Sequence, residues 1–262
     1  VDRRAFLRRA GLITGGLAVG AGAASAVEER RIDTTITAAG HAVGADRPIG
    51  LRSTSLTYRV QTSEPIVALT FDDGPSEKYT VKVLDILAQK DVPATFFLIG
   101  KHAHALPHLA KRASQDHEIG NHTWSHPNLG LYHAPDAHAE LARAAGAISD
   151  ATGNAPTLFR PPYGAFSGAT AMIATSFAYP IVMWDEEFNQ HGPDGAANAT
   201  RLAADAVPGS IILGHDGGTL NCDMVVAGLP SLIDRLKARG FRFGTVSQLL
   251  AVSTPTPAPA KQ

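Results

Sequence analysis

From about residue 66 to residue 250, short apolar runs alternate with segments of helical period, and no other feature of the 262-residue chain limits its fold so strongly. The run Ile66-Val67-Ala68-Leu69 leads into Thr70-Phe71-Asp72-Asp73-Gly74-Pro75, so it reads as a buried strand that ends in charge at a turn. Ser76 can cap a helix with Val81, Leu84, Leu87 and Ala88 on roughly one face, and after Pro93 the segment 94–100 reads as a second buried strand. The pattern continues with helices over 106–115, 135–151, 169–176, 196–206 and 225–239, and strands at 118–119, 157–159, 180–183, 210–213 and 241–243, before a last turn at 246–250. Repeated strand-helix units demand a parallel sheet covered by helices, either a barrel or a doubly wound sheet.

The two ends of the chain stand apart from that pattern. Arg3, Arg4, Arg8 and Arg9 precede a glycine-rich apolar stretch and the small-x-small sequence Ala24-Ser25-Ala26, so residues 1–26 read as a signal peptide. Arg3-Arg4-Ala5-Phe6-Leu7 is similar to a twin-arginine export signal, which predicts a secreted or extracytoplasmic bacterial protein. The apolar stretch is too short for a stable membrane anchor. Residues 27–62 read as a lead-in or linker with one short strand near 56–60, residues 63–250 as the main folded domain, and residues 251–262 as a disordered Pro/Thr tail. Removing the leader takes four arginines from 23 basic residues and Asp2 from 24 acidic ones, leaving 19 against 23. That acidic balance argues against nucleic acid and favours a neutral or cationic polymer as partner. A monomer is the separate expectation for its assembly. Cys222 is the single cysteine, so no internal disulfide is available; it reads as a small buried side chain.

In either parallel architecture the site lies beyond the carboxyl ends of the strands. There the chain gathers Asp72-Asp73, then 121–127 with His122 and His126, then Arg160-Pro161-Pro162-Tyr163-Gly164, Trp184-Asp185 and Gly214-His215-Asp216-Gly217-Gly218. Side chains alternate along a strand, so Asp72 and Asp73 should diverge and do separate jobs, one binding a metal and one handling a proton. A spacing of four puts His122 and His126 on the same side of one helical turn. His104 and His108 share that spacing but begin a polar helix without an acid, and read as a solvated face. Two imidazoles and one aspartate form a three-ligand centre with open positions, the usual form of catalytic zinc. Arg160 could hold the other aspartate through a forked ion pair, and Tyr163-Gly164 could aim a backbone N–H at a developing oxyanion. His215 is a candidate general acid.

These motifs resemble, in order, those of the NodB-homology polysaccharide deacetylases, carbohydrate esterase family 4. The matching segments are Thr70-Phe71-Asp72-Asp73-Gly74, His122-Thr123-Trp124-Ser125-His126, Arg160-Pro161-Pro162-Tyr163-Gly164 and Leu213-Gly214-His215. The resemblance implies an α/β fold, a distorted parallel (β/α) barrel of about seven strands. It implies Asp72 as general base, Asp73, His122 and His126 as metal ligands, Arg160 as the residue orienting the base, and His215 as general acid. Tyr163 would offer its backbone N–H, with Leu213 and Trp184 lining the acetyl pocket. The fourth motif departs: the family's later Asp-Trp pair stands here as Gln190-His191, so the carboxylate that usually pairs with the catalytic histidine is missing unless Asp185, Glu186 or Glu187 replaces it.

The implied activity is metal-dependent hydrolysis, with Zn2+ or Co2+ as cofactor, of N-acetyl groups on an N-acetylglucosamine polymer such as peptidoglycan or chitin oligomers. The alternatives are an O-deacetylating acetyl-xylan-type esterase and, given the altered fourth motif, a catalytically weak glycan-binding homologue.

Overall fold

The computed structural model describes residues 54–188, 194–218 and 221–254. In chain order β1 (Leu56–Thr57) precedes β2 (Ile66–Asp72), which leads through α1 (Thr80–Lys90) to β3 (Thr95–Leu98). Then come α2 (Gly100–Ala105), α3 (Pro107–Asp116), β4 (Glu118–Asn121), α4 (Ala134–Thr152), α5 (Gly168–Ser176) and β5 (Ile181–Val182). The last part comprises β6 (Glu186–Glu187), α6 (Gly195–Asp205), β7 (Ile211–His215), α7 (Cys222–Ala238), β8 (Arg242–Phe243) and α8 (Val246–Ala251). Residues 1–53, Gln190, His191 and the tail from 255 onward lie outside the described residues, and with them the leader, most of the lead-in and the altered fourth motif.

All seven residues of β2 are buried, because both faces of a central parallel strand are covered. It pairs in parallel with β3 on one side and β7 on the other, and β8 pairs with its first two residues. Val67, Leu69 and Phe71 pack outward among Val83 and Leu87 of α1 and Leu229 and Ile233 of α7. Ile66 and Ala68 face the opposite way, against Phe97, Val182 and Ile211. Period-two alternation then carries Thr70 and Asp72 to the same inner face, so the interior turns from apolar to polar toward the strand's carboxyl end.

The sheet runs β6–β7–β2–β3–β4 with every ladder parallel, and parallel bridges from Asn121 to Phe159 and from Phe159 to Ile181 extend it to β5. This is the parallel (β/α) architecture that the alternation requires, in its curved form. Among the described residues no ladder joins β5 to β6, so the barrel keeps a seam. The described end of the lead-in, from Thr54 onward, lies along it. β1 pairs with β5, and the Val60 N–H donates to the Gly209 carbonyl at 3.0 Å.

Local departures from expectation have plain causes. The segment 157–159 contributes only the Phe159 bridges rather than a strand. The expected helix over 106–115 is α3, separated from α2 by Leu106 at φ −127°, ψ 57°. Pro107 disfavours helical geometry in the residue before it and is tolerated at a helix start. His104 and His108 therefore sit on different helices, both exposed, and share no face.

Candidate active site

Asp72 closes β2 on the inner face, but Asp73 does not alternate away from it. Its backbone takes φ 74°, a left-handed conformation uncommon for a residue with a side chain, and this turns its carboxylate back toward the same centre. His122 Nε2 lies 3.7 Å from Asp72 Oδ2 and 3.4 Å from Asp73 Oδ1, while His126 Nε2 lies 3.2 Å from Asp73 Oδ1. The expected divergence of the two acids is thus corrected to convergence. The turn is held from outside by His102, whose Nδ1 donates to the Asp73 carbonyl at 2.8 Å. Gly217 permits the packing: a Cβ there would stand 2.3 Å from that same carbonyl oxygen.

His122 and His126 are not on a helical turn. They flank a tight loop after β4, with Thr123 at φ 67° and His126 at φ 63°. Asn121 Oδ1 accepts from the Thr123 N–H at 2.8 Å, and Thr123 Oγ1 accepts from the His126 N–H at 3.0 Å. Glu140 of α4 accepts from the N–H groups of Trp124 and Ser125 at 2.9 and 2.8 Å, and from the Ser125 hydroxyl at 2.8 Å. His122 Nδ1 donates to the Arg160 carbonyl at 2.7 Å, leaving Nε2 toward the carboxylates, the usual arrangement around a metal-binding histidine.

The donor set suits a divalent cation. The ligand atoms of Asp73, His122 and His126 lie within 4.8 Å of one another. Asp73 Oδ1 is buried beside two imidazole nitrogens without a well-formed hydrogen bond, an orphaned acceptor of the kind a cation satisfies. Burial opposes ionisation of Asp73, but the His122 imidazole close beside it, with His126 and His215, outweighs that and holds the carboxyl below its usual range. Burial likewise opposes charge on His122, while Asp72 and Asp73 overcome that and push it up; His126 is pulled down by burial and by His122.

Arg160 is fully buried. Its guanidinium is not forked onto Asp72 as expected. Nη1 donates to Asp72 Oδ1 at 2.8 Å and to Thr70 Oγ1 at 2.9 Å, while Nε and Nη2 donate to the carbonyls of Val182 and Met183. Two hydrogen bonds to β2, at Asp72 and Thr70, and two to the carbonyls at the end of β5 make Arg160 a brace across the barrel, stacked 4.2 Å from the Phe97 ring. Tyr163, at φ 60° and 66% exposed, sets its ring edge-on to His126 at 4.5 Å. Trp184 lies beside Gly164 and donates to Glu187 Oε2 at 2.9 Å, and Leu213 is buried on β7 beside Thr70.

His215 ends β7 directly opposite Asp72. None of the three nearby acids considered as its partner is one. Asp185 accepts from the Ile211 N–H and the Ser210 hydroxyl at the far end of β7, Glu186 pairs with Arg201, and Glu187 accepts from Trp184. Instead His215 Nδ1 meets Asn221 Oδ1 at 3.1 Å. Asp216, fully buried, accepts from the Thr80 hydroxyl, and burial pushes its carboxyl up to about 7. Cys222 is buried as expected, its thiol against the Gly217 carbonyl and pushed up to about 12 by burial. His102, Glu140 and Asn221 carried no sequence signal beyond their polarity; each serves the site from another segment.

The fold and site define a parallel α/β protein with a cation-type centre of two imidazoles and a carboxylate, beside a buried acid–guanidinium pair at the strand ends. Residues 59–182 match the family described as polysaccharide deacetylase. A peptidoglycan-N-acetylglucosamine deacetylase of Bacillus cereus is 37% identical over 191 residues, 71% of this chain and 69% of that protein. A chitooligosaccharide deacetylase of Sinorhizobium fredii is 37% identical over 204 residues, 72% of this chain and 94% of that protein. The crystal structure of the Bc1960 peptidoglycan N-acetylglucosamine deacetylase superposes with a TM-score of 0.72 at 32% identity, covering 77% of this chain and 95% of that one. The chain belongs to the polysaccharide deacetylase family, the NodB-homology group of carbohydrate esterase family 4, and is a hydrolase of carbon–nitrogen bonds other than peptide bonds.

Proposed function

We propose that this chain is an exported, zinc-dependent deacetylase that removes N-acetyl groups from N-acetylglucosamine in peptidoglycan or chitin-type oligomers. The observation carrying this reading is the convergence of Asp73, His122 and His126 on one point beside the Asp72–Arg160 pair. The names of the relatives support the substrate class, and the leader at 1–26 supports export.

Asp73, His122 and His126 would hold the cation, which when bound makes water acidic and draws electron density from a carbonyl oxygen. Asp72 takes the proton of the attacking water, and Arg160, 2.8 Å away and braced on two carbonyls, holds that acid in place. The Tyr163 N–H donates to the acetamide oxygen as it gains charge. His215 delivers a proton to the amine as the carbon–nitrogen bond breaks. Leu213 receives the acetyl methyl and Trp184 walls the pocket.

Acetate release decides the matter. The mature protein is incubated with zinc or cobalt and N-acetylglucosamine oligomers, peptidoglycan or acetylated xylan. Acetate from the first two is expected; acetate from xylan alone would overturn the amide assignment. Silence on every substrate would leave a glycan-binding homologue.

A further inference from the structure

The partner of His215 is fixed by chemistry as well as distance. Asn221 Nδ2 meets the Phe188 carbonyl, which can only accept a hydrogen bond. The amide nitrogen must therefore face Phe188, and the amide oxygen must face His215. An amide oxygen cannot donate, so the hydrogen of that 3.1 Å contact belongs to Nδ1 of the imidazole. Phe188 is itself buried and anchored, its N–H donating to the Leu213 carbonyl at 3.0 Å two residues before His215. Asn221 stands at φ 23°, ψ 7° ahead of α7, in a region asparagine tolerates better than most residues bearing a Cβ.

We infer that Asn221 is the positioning residue of His215, a neutral amide clamp that replaces the missing carboxylate and commits the proton leaving the imidazole to Nε2. The inference rests on His215 being the general acid. With Nδ1–H held by Asn221, the protonated ring can release only its Nε2 proton to the amine nitrogen as the carbon–nitrogen bond breaks. The ring is left neutral, with its remaining hydrogen on Nδ1. Aspartate could supply the same acceptor to His215, but would set a carboxylate oxygen against the Phe188 carbonyl. Only the amide satisfies both neighbours.

The variant of choice is Asn221→Gly, which removes the amide without adding strain at a positive φ. Zinc-loaded full chain is assayed on an N-acetylglucosamine oligomer and on 4-nitrophenyl acetate, whose phenolate departs without a proton. Asn221→Gly is expected to lower kcat on the amide by about 10- to 100-fold, a part of what general acid catalysis contributes. KM, and kcat on the ester, should stay within about twofold on the same ground. Asn221→Asp should recover part of the amide rate. Amide and ester rates that fall together, or an amide rate that does not fall, would overturn the clamp. Nitrogen-15 spectra of histidine-labelled full chain, with the His215 signal assigned from His215→Ala, read the tautomer independently of turnover. Neutral His215 should carry its hydrogen on Nδ1 in the parent chain and populate both tautomers in Asn221→Gly; identical tautomers in the two would also overturn it. If His215→Ala keeps full amide activity, the general-acid reading falls by itself, and the spectra still decide the clamp.

Discussion

Asp72 and His215 end neighbouring strands in the same register, yet they are held in opposite ways. Asp72 faces a fully buried guanidinium that is itself tied to Thr70, Val182 and Met183. His215 faces a half-buried, uncharged amide. The contrast follows from what each group must do. A general base has to present the same oxygen to water at every turnover, and a buried, tethered guanidinium secures that. A general acid must hold a proton and then lose it, so it needs direction without a strong bias in charge. An uncharged partner also adds no further carboxylate beside Asp72 and Asp73, which already crowd His122.

The largest expected effect comes from removing the charged side of this contrast. Asp72→Asn should lower acetate release by about 10²- to 10⁴-fold while zinc stays bound, the range general base catalysis supplies. His122→Ala should instead lose the metal itself, measured as zinc per chain after desalting, whereas His104→Ala should keep it. Arg160→Met should destabilise the fold by about 3–5 kcal/mol in urea denaturation, because it leaves Asp72 buried without its partner. A loss below about 1 kcal/mol, the scale of an exposed pair, would mean that the brace is not the barrel's internal support.

Smaller effects sharpen the comparison. Glu140→Gln replaces an acceptor of three hydrogen bonds on the His122–His126 loop, and should weaken zinc affinity about 10-fold, as supporting residues around metal ligands do. Competition with a fluorescent chelator measures it. The smallest change is one of slope. The carboxyl of Asp216 sits at about 7 in the fold against 3.8 ordinarily, so the folded state favours its protonated form. That contribution is fully present below about pH 4 and is lost as pH rises through about 7. Asp216→Asn should therefore flatten stability over that window, and urea midpoints at its two ends that move as in the parent chain would refute the assignment.

Sequence made β2 legible because a strand covered on both faces must be apolar along most of its length, and Ile66 to Leu69 is. The donor types at the strand ends were legible for a similar reason: two imidazoles and two acids gathered at the ends of buried strands imply a common centre. How they meet was not. Alternation presumes extended geometry, and Asp73 leaves it at a φ set by its contacts with His102 and the Gly217 chain. A spacing of four fits a helical turn and a tight loop equally, and Thr123 decides for the loop through a left-handed backbone that no pattern announces. Arg160 was legible as the partner of Asp72 but not as a brace, because its other acceptors are backbone carbonyls and look alike in any sequence. Asn221 was invisible since its partners, Phe188 and His215, come from different strand ends.

The end of the lead-in, from Thr54 onward, is seated in the barrel's seam and orders events in time. Thr54 donates to the Tyr179 carbonyl across 125 residues of chain, and Leu56 pairs with Ile181. Synthesis runs from the amino end, so this edge is made early and its seat late. The segment can close only after most of the barrel exists, and pairings so distant in sequence are slow to form. Until then the outer edge of β5 presents unpaired backbone groups to any passing strand. The few residues around Leu56 thus leave the ribosome 125 residues ahead of the segment that seats them.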